Sequence, residues 1–154
     1  MIKYIIKKPN ESDSTIIYNY LLKTDSYLTP TLSSRVDLKD YSTRLAHNAT
    51  CFYVYDDSNL VGFGALYFKP SPELSFGTYV SVLKEYQKEM IGVDLLIMMV
   101  DYCEEHYSGG YWCAIRKSNK QLVRLYKSLG FIIKEEKCYP NSDVIEYYIE
   151  KTFN

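Results

Sequence analysis

The stretch VLKEYQKEMIG, residues Val82–Gly92, runs directly into the apolar segment Val93–Val100. Before it, Gly77–Leu83 reads as the end of a strand. Lys84–Met90 is a polar turn, and from Ile91 the chain is apolar around most of a helix's circumference. The first N–H groups of a helix have no intrahelical partner, and the aligned peptide dipoles favour negative charge there. A strand that turns straight into such a helix start suits an anionic group, and a phosphate-bearing ligand is the functional reading. The structural alternative is a turn that only starts a helix.

Toward the C-terminus, the predicted helix Ile91–Tyr107 is stopped by Ser108–Gly110, and Tyr111–Ile115 is a short apolar strand of the kind buried between neighbours. Asn119–Leu129 has Leu122, Leu125, Tyr126 and Leu129 at helical spacing, and Gly130 suits the residue just past its end. Phe131–Glu136 and Val144–Glu150 read as two strands around the turn Pro140–Asp143. Toward the N-terminus, Leu74–Leu83 is a long strand, preceded by the turn Lys69–Pro72. Cys51–Tyr55 and Leu60–Phe68 form a hairpin about Asp56–Asn59. Two helices precede it. Glu11–Lys23 is capped by Ser12 or Asp13, and Asp37–Asn48 is capped by Asp37. The loop Thr24–Val36 lies between them, and Tyr4–Ile6 is the first strand. Helices on a largely antiparallel sheet make this a mixed α/β (α+β) layer structure.

The bulk properties exclude several classes. A length of 154 residues is that of one domain, 1–154, and 47% hydrophobic with 24% charged residues is an ordinary globular balance. A net charge of −1 argues against general nucleic-acid binding, which needs clustered Lys and Arg, and the 17 tyrosines lack a basic groove to accompany them. Met1–Lys8 has no cleavage-site pattern, and the longest apolar run is broken by Asp94, so no membrane partner and a cytoplasmic setting are expected. Cys51, Cys103, Cys113 and Cys138 have no metal-type spacing; buried reduced thiols are expected, and no metal site.

Two motifs then carry a resemblance. Q-x-x-x-x-G at Gln87–Gly92 and N-x-x-x-x-x-L-Y-x-x-x-G-F at Asn119–Phe131, in this element order, resemble the GNAT superfamily of acyl-CoA-dependent N-acyltransferases. The resemblance covers essentially the whole chain and implies a mixed, largely antiparallel sheet of about seven strands flanked by four helices. It implies acetyl-CoA as cosubstrate. In the family the backbone amides of this turn hold the coenzyme's pyrophosphate, which here are those of Gln87, Lys88, Glu89, Met90, Ile91 and Gly92. Val80 and Val82 correspond to the strand positions whose backbone meets the acyl carbonyl and the pantetheine arm. Asn119 corresponds to a pantetheine contact, with a helix N-cap as the alternative.

This chain departs from the family pattern in two places. Met90 stands where a glycine is usual, which narrows backbone freedom. Glu89 puts negative charge near a negative ligand, with Lys84 and Lys88 in partial compensation. Weaker coenzyme binding or a slightly shifted phosphate is the expectation.

Acyl transfer from a thioester to an amine needs a deprotonated amine, stabilisation of the tetrahedral oxygen and a proton for the departing thiolate. The resemblance implies Tyr126 as the general acid; periodicity alone reads it as packing on the apolar stripe of its helix. A base is not assigned. Where some relatives carry a strand glutamate this chain has Phe76; Glu73 reads as a solvated residue at the strand start, and Tyr79, Ser81 or a water chain are alternatives. His106, at a helix C-terminus, reads as structural, and His47 lies near the expected acceptor side. In the family the first two helices and their loop shape the acceptor pocket. LSSRVDLKDYSTRL (residues 32–45) resembles members tied to surface polysaccharides, which implies an amine-bearing small molecule, an amino sugar among them. The rival reading is a catalytically degenerate acyl-CoA-binding or regulatory module. Dimers are common in the family, so a homodimer through Tyr-rich edges such as Tyr147–Tyr148 is a further expectation.

Overall fold

The computed structural model describes residues 1–154. The strands are β1 (Ile2–Lys7), β2 (Thr50–Asp56), β3 (Asn59–Tyr67), β4 (Leu74–Val82), β5 (Gly110–Arg116), β6 (Ile132–Cys138) and β7 (Ile145–Thr152). The helices are α1 (Ser14–Thr24), α2 (Leu38–Asn48), α3 (Ile91–Glu105) and α4 (Lys120–Ser128), with short 3₁₀ turns at Asp25–Tyr27, Leu32–Ser34 and Lys84–Tyr86. Every element expected from the sequence is present in the expected order. The seven strands form one sheet in the order β1-β2-β3-β4-β5-β7-β6, in which β4 and β5 are parallel.

The ends follow from local chemistry. The Asp13 carboxylate accepts from the Thr15 N–H and that of Asp37 from the Asp40 N–H, so each helix start gains a partner for an orphan donor. Asn119 does the same for α4 through Leu122. Gly130 takes φ +93°, the left-handed conformation that glycine adopts without a Cβ penalty. Helix α3 ends at Glu105, two residues earlier than the apolar pattern predicts. Tyr107 adopts φ 62°, and the Ser108 N–H returns to the Cys103 carbonyl at 2.8 Å, closing the helix before the glycines.

The chain divides into two compact units. The first comprises Met1–Tyr67 and Tyr79–Asp101; the second comprises Phe68–Thr78 and Tyr102–Asn154. In the first, β1, β2 and β3 are successive antiparallel neighbours. The buried side chains Ile17, Leu21, Leu45, Cys51, Tyr53 and Phe63 pack helices α1 and α2 onto that sheet. In the second, β5 pairs with β7 and β7 with β6, all antiparallel. Here Tyr111 stands edge-to-face with Phe131, which is edge-to-face with Tyr126 in turn. Cys51, Cys103 and Cys113 are buried thiols as expected, but Cys138 is exposed, because it ends the sheet's outermost strand, β6, which is exposed throughout.

Candidate functional site

The turn after β4 lies in the first unit, and three side chains fix it. The Gln87 side-chain amide donates to the Val82 carbonyl at 3.0 Å, the Tyr86 hydroxyl donates to the Asp56 carboxylate at 2.6 Å, and the Tyr27 hydroxyl accepts from the Lys84 N–H at 3.1 Å. Gln87, the motif's first residue, therefore ties the turn back to the strand end. Within the turn the N–H groups of Tyr86, Gln87 and Glu89 are held by the carbonyls of Leu83, Lys84 and Tyr86. The N–H groups of Lys88, Met90, Ile91, Gly92 and Val93 have no protein partner, and the first helical bond is from Asp94 to Met90. That is a short row of unsatisfied donors at the positive end of a 15-residue helix.

Both departures from the motif are exposed on the turn. Met90 keeps a φ outside the left-handed region and has a side chain 64% exposed, so the turn forms without the dihedral freedom of glycine. Glu89 is exposed. Of the two compensating lysines, Lys88 is exposed, while the Lys84 ammonium sits 5.1 Å from the centroid of the Tyr27 ring. A methyl group built on Gly92 would meet only Val82, at 3.6 Å, so nothing inside the protein requires glycine there.

Strand β4 leads into this turn. The Leu83 N–H donates to the Val61 carbonyl of β3 at 2.8 Å. Alternation along a strand then turns the N–H groups of Val82 and Val80 to the opposite edge. Val80 is partly exposed and Val82 buried. Tyr79 and Ser81, on the other face, belong to a network of hydroxyls. Ser81 Oγ donates to the Tyr79 hydroxyl (2.9 Å), and the Tyr79 hydroxyl is 2.6 Å from Thr24 Oγ1. Thr24 Oγ1 donates to the Tyr20 carbonyl (3.2 Å), and the Tyr20 hydroxyl donates to the Ser81 carbonyl (2.9 Å). Burial holds the Tyr79 phenol above its ordinary pKa. The sequence pattern that could have found this network is Tyr20 and Thr24 at helical spacing facing Tyr79 and Ser81 at strand spacing.

In the second unit, Tyr126 is 5% exposed, 5.0 Å from the Phe131 ring centroid. Burial, then the neighbouring Tyr111 and Cys113, hold its phenol well above 10. Burial likewise pushes the Cys113 thiol up to about 12. Tyr111 is fully buried and its hydroxyl has no hydrogen-bond partner. Asn119 accepts from the Leu122 N–H at 3.2 Å, the N-cap that its alternative reading described. Phe76, at the position of the family's strand glutamate, stacks on Trp112 with centroids 4.1 Å apart, and Glu73 is exposed at the strand start. His106 Nδ1 is 2.9 Å from the Tyr102 carbonyl and its ring stacks on Tyr102, a structural role. In the first unit, His47 Nδ1 lies 2.9 Å from the Asn10 side-chain oxygen, tying the end of α2 to the β1–α1 loop. An ion pair that sequence reasoning missed joins cross-strand partners: Arg116 and Glu146, 2.6 Å apart and both largely buried, with the guanidinium 4.3 Å from the Tyr139 ring centroid.

The chain's likeness to known proteins agrees with this geometry. No curated protein matches it by sequence. The ribosomal-protein-S18-alanine N-acetyltransferase of Escherichia coli superposes with a TM-score of 0.76 at 18% identity, over 97% of this chain and 94% of that one. Ard1 from Thermoplasma volcanium gives 0.75 at 17% identity, over 97% of each chain. YncA of Salmonella typhimurium, a putative acetyltransferase solved with acetyl-CoA, gives 0.73 at 14% identity, over 99% of this chain and 95% of that one. At these identities the superpositions show the fold. No helix is long and apolar enough to cross a membrane. The family model described as Acetyltransferase (GNAT) family matches residues 15–131, which spans the turn, the helix it opens and the L-Y-x-x-x-G-F run, and the chain belongs to that family.

Proposed function

We propose that the protein transfers an acetyl group from acetyl-CoA to the primary amine of a small molecule, with amino sugars as the acceptor class. The observation that carries the reading is the row of unpartnered N–H groups at Lys88 and Met90–Val93, in a chain of the acetyltransferase family. These donors, with Gly92 leaving room outside, would hold the coenzyme's pyrophosphate; a solved neighbour, YncA, carries acetyl-CoA. The coenzyme supplies a thioester, whose carbonyl carbon is open to attack by an amine.

Roles for the remaining residues follow from the reaction's charges. The amine nitrogen forms the new C–N bond, the C–S pair leaves on sulfur, and the amine's surplus proton goes to solvent. The N–H of Val80 would receive the charge that develops on the carbonyl oxygen, and the N–H of Val82 the pantetheine amide. Tyr126 would give its proton to sulfur and take one back from solvent once the products leave. Burial raises its pKa, so the phenol is protonated at neutral pH and is a weaker donor to a thiolate than a free phenol.

Calorimetry with CoA and acetyl-CoA tests the binding half, and thiol release over a panel of amines and amino sugars tests the transfer. Binding in the micromolar range with release on at least one amine is the expected result. No heat at millimolar coenzyme would overturn the reading. Binding without release on any acceptor would favour the non-catalytic module.

A further inference from the structure

The hydroxyl network of the first unit has a fixed proton order. Ser81 donates to Tyr79 and Thr24 donates to the Tyr20 carbonyl, so the Tyr79 proton goes to Thr24. Tyr20 then has its own proton to give, and the Ser81 carbonyl receives it at 2.9 Å, with Ser81 Oγ at 3.0 Å alongside. Each of the four hydroxyls donates once within the network. Neither Tyr79 nor Ser81 is thereby a free base, and the interest of the network lies at its backbone end.

The Ser81 carbonyl and the Val82 N–H belong to one planar trans peptide and point in opposite directions. A donor fixed on the carbonyl sets the tilt of that plane and so the aim of the Val82 N–H. It also polarises the amide and strengthens its N–H as a donor, an effect of about 10–30% per bond. The other side of Val82 is held as well: its carbonyl accepts from the Gln87 side chain at 3.0 Å. Val82 is thus pinned by a helix α1 hydroxyl from one peptide and by the motif glutamine from the next.

We propose that Tyr20 is a positioning residue for the coenzyme, acting through the Ser81–Val82 peptide to aim and strengthen the Val82 N–H. The proposal rests on the acetyl-CoA reading given above. It joins α1, on the side where the resemblance puts the acceptor, to the strand that would hold the pantetheine arm.

The test compares two variants that each delete one hydroxyl of the same network, Thr24 making two of its hydrogen bonds. Tyr20→Phe deletes the donor to the Ser81 carbonyl; Thr24→Val deletes the partner of Tyr79 and leaves that carbonyl untouched. Calorimetric affinity for CoA, thermal midpoint and the amide proton shift of Val82 are measured for both and for the wild type. Both variants are expected to melt lower. Tyr20→Phe is expected to weaken CoA about three- to tenfold, the worth of the one net hydrogen bond that a misaimed Val82 N–H no longer makes to the ligand, and to move the Val82 amide proton upfield. Thr24→Val is expected to bind CoA within about twofold of wild type. Equal affinities in all three proteins, or equal losses in both variants, would overturn the proposal while leaving the acetyl-CoA reading standing. A wild type that binds no CoA would overturn that reading instead, and this one with it.

Discussion

Gly92→Ala separates what the fold needs from what a ligand needs. Gly92 is the second residue of α3, and its φ lies outside the left-handed region, so alanine can adopt the same backbone. The new methyl carbon would lie 3.6 Å from Val82 Cγ2, an ordinary van der Waals contact. Glycine in a helix costs roughly 0.5–1 kcal/mol against alanine, with the lower end fitting a first-turn position. About 0.5 kcal/mol raises the thermal midpoint of a 154-residue chain by about 1–2 °C. The Cβ of a helical residue points toward the helix N-terminus, here toward the turn that opens α3. A phosphate pushed off one of the turn's free N–H donors loses a hydrogen bond to a charged acceptor, about 1.5–3 kcal/mol, or a fall in affinity of about tenfold to a hundredfold. Calorimetry with CoA and a thermal melt on the same sample read both effects. A variant that melts higher and binds CoA as well as wild type would refute the placement of the pyrophosphate at this turn. A variant that melts several degrees lower would refute the reading of open space.

Tyr126→Phe is expected to lower kcat at least tenfold while CoA affinity stays within about twofold, whereas a residue that only packs would lose stability and keep turnover; steady-state kinetics and calorimetry on one preparation decide it. Tyr111→Phe removes a fully buried hydroxyl that has no partner and is expected to raise stability by about 1 kcal/mol in urea unfolding. Gly77→Ala places a methyl within 2.5 Å of the Tyr111 Cζ and closer still to its hydroxyl. A loss of about 1–3 kcal/mol is expected, smaller in the Tyr111→Phe background, and additivity of the two changes would count against that contact. Arg116→Met leaves the Glu146 carboxylate buried without its cation, and a loss of about 3–5 kcal/mol is expected, with Glu146 and Arg116 replaced together costing less.

The fold was legible because its elements announce themselves locally. Asp13, Asp37 and Asn119 cap helices whose apolar spacing is unbroken, and Gly130 sits where only a left-handed residue closes the last turn. The end of α3 was misjudged because Tyr107 takes a conformation normally left to glycine or asparagine, and nothing in its side chain says so. The exposure of Cys138 was missed for a different reason. Whether a strand lies at the sheet edge is a property of strand order, and β6 reaches the edge because β7 returns between it and β5.

The coenzyme turn was legible as a motif but not as a mechanism. Glycine at the position of Met90 was expected to matter for backbone dihedrals, yet the turn reaches its shape with methionine at an ordinary φ. The reason lies in the contacts that tie the turn to its surroundings. Asp56 accepts from Tyr86, Tyr27 accepts from Lys84 and the Val82 carbonyl accepts from the motif's Gln87, so the geometry is fixed jointly by the turn's own side chains and by the residues around it. A turn held in this way tolerates a Cβ where an unsupported one would need glycine, and the cost of methionine shifts from folding to the approach of a ligand. The same logic explains why the hydroxyl network escaped notice. Tyr20 satisfies the helix's apolar period with its ring and the strand's carbonyl with its hydroxyl, and periodicity registers only the ring.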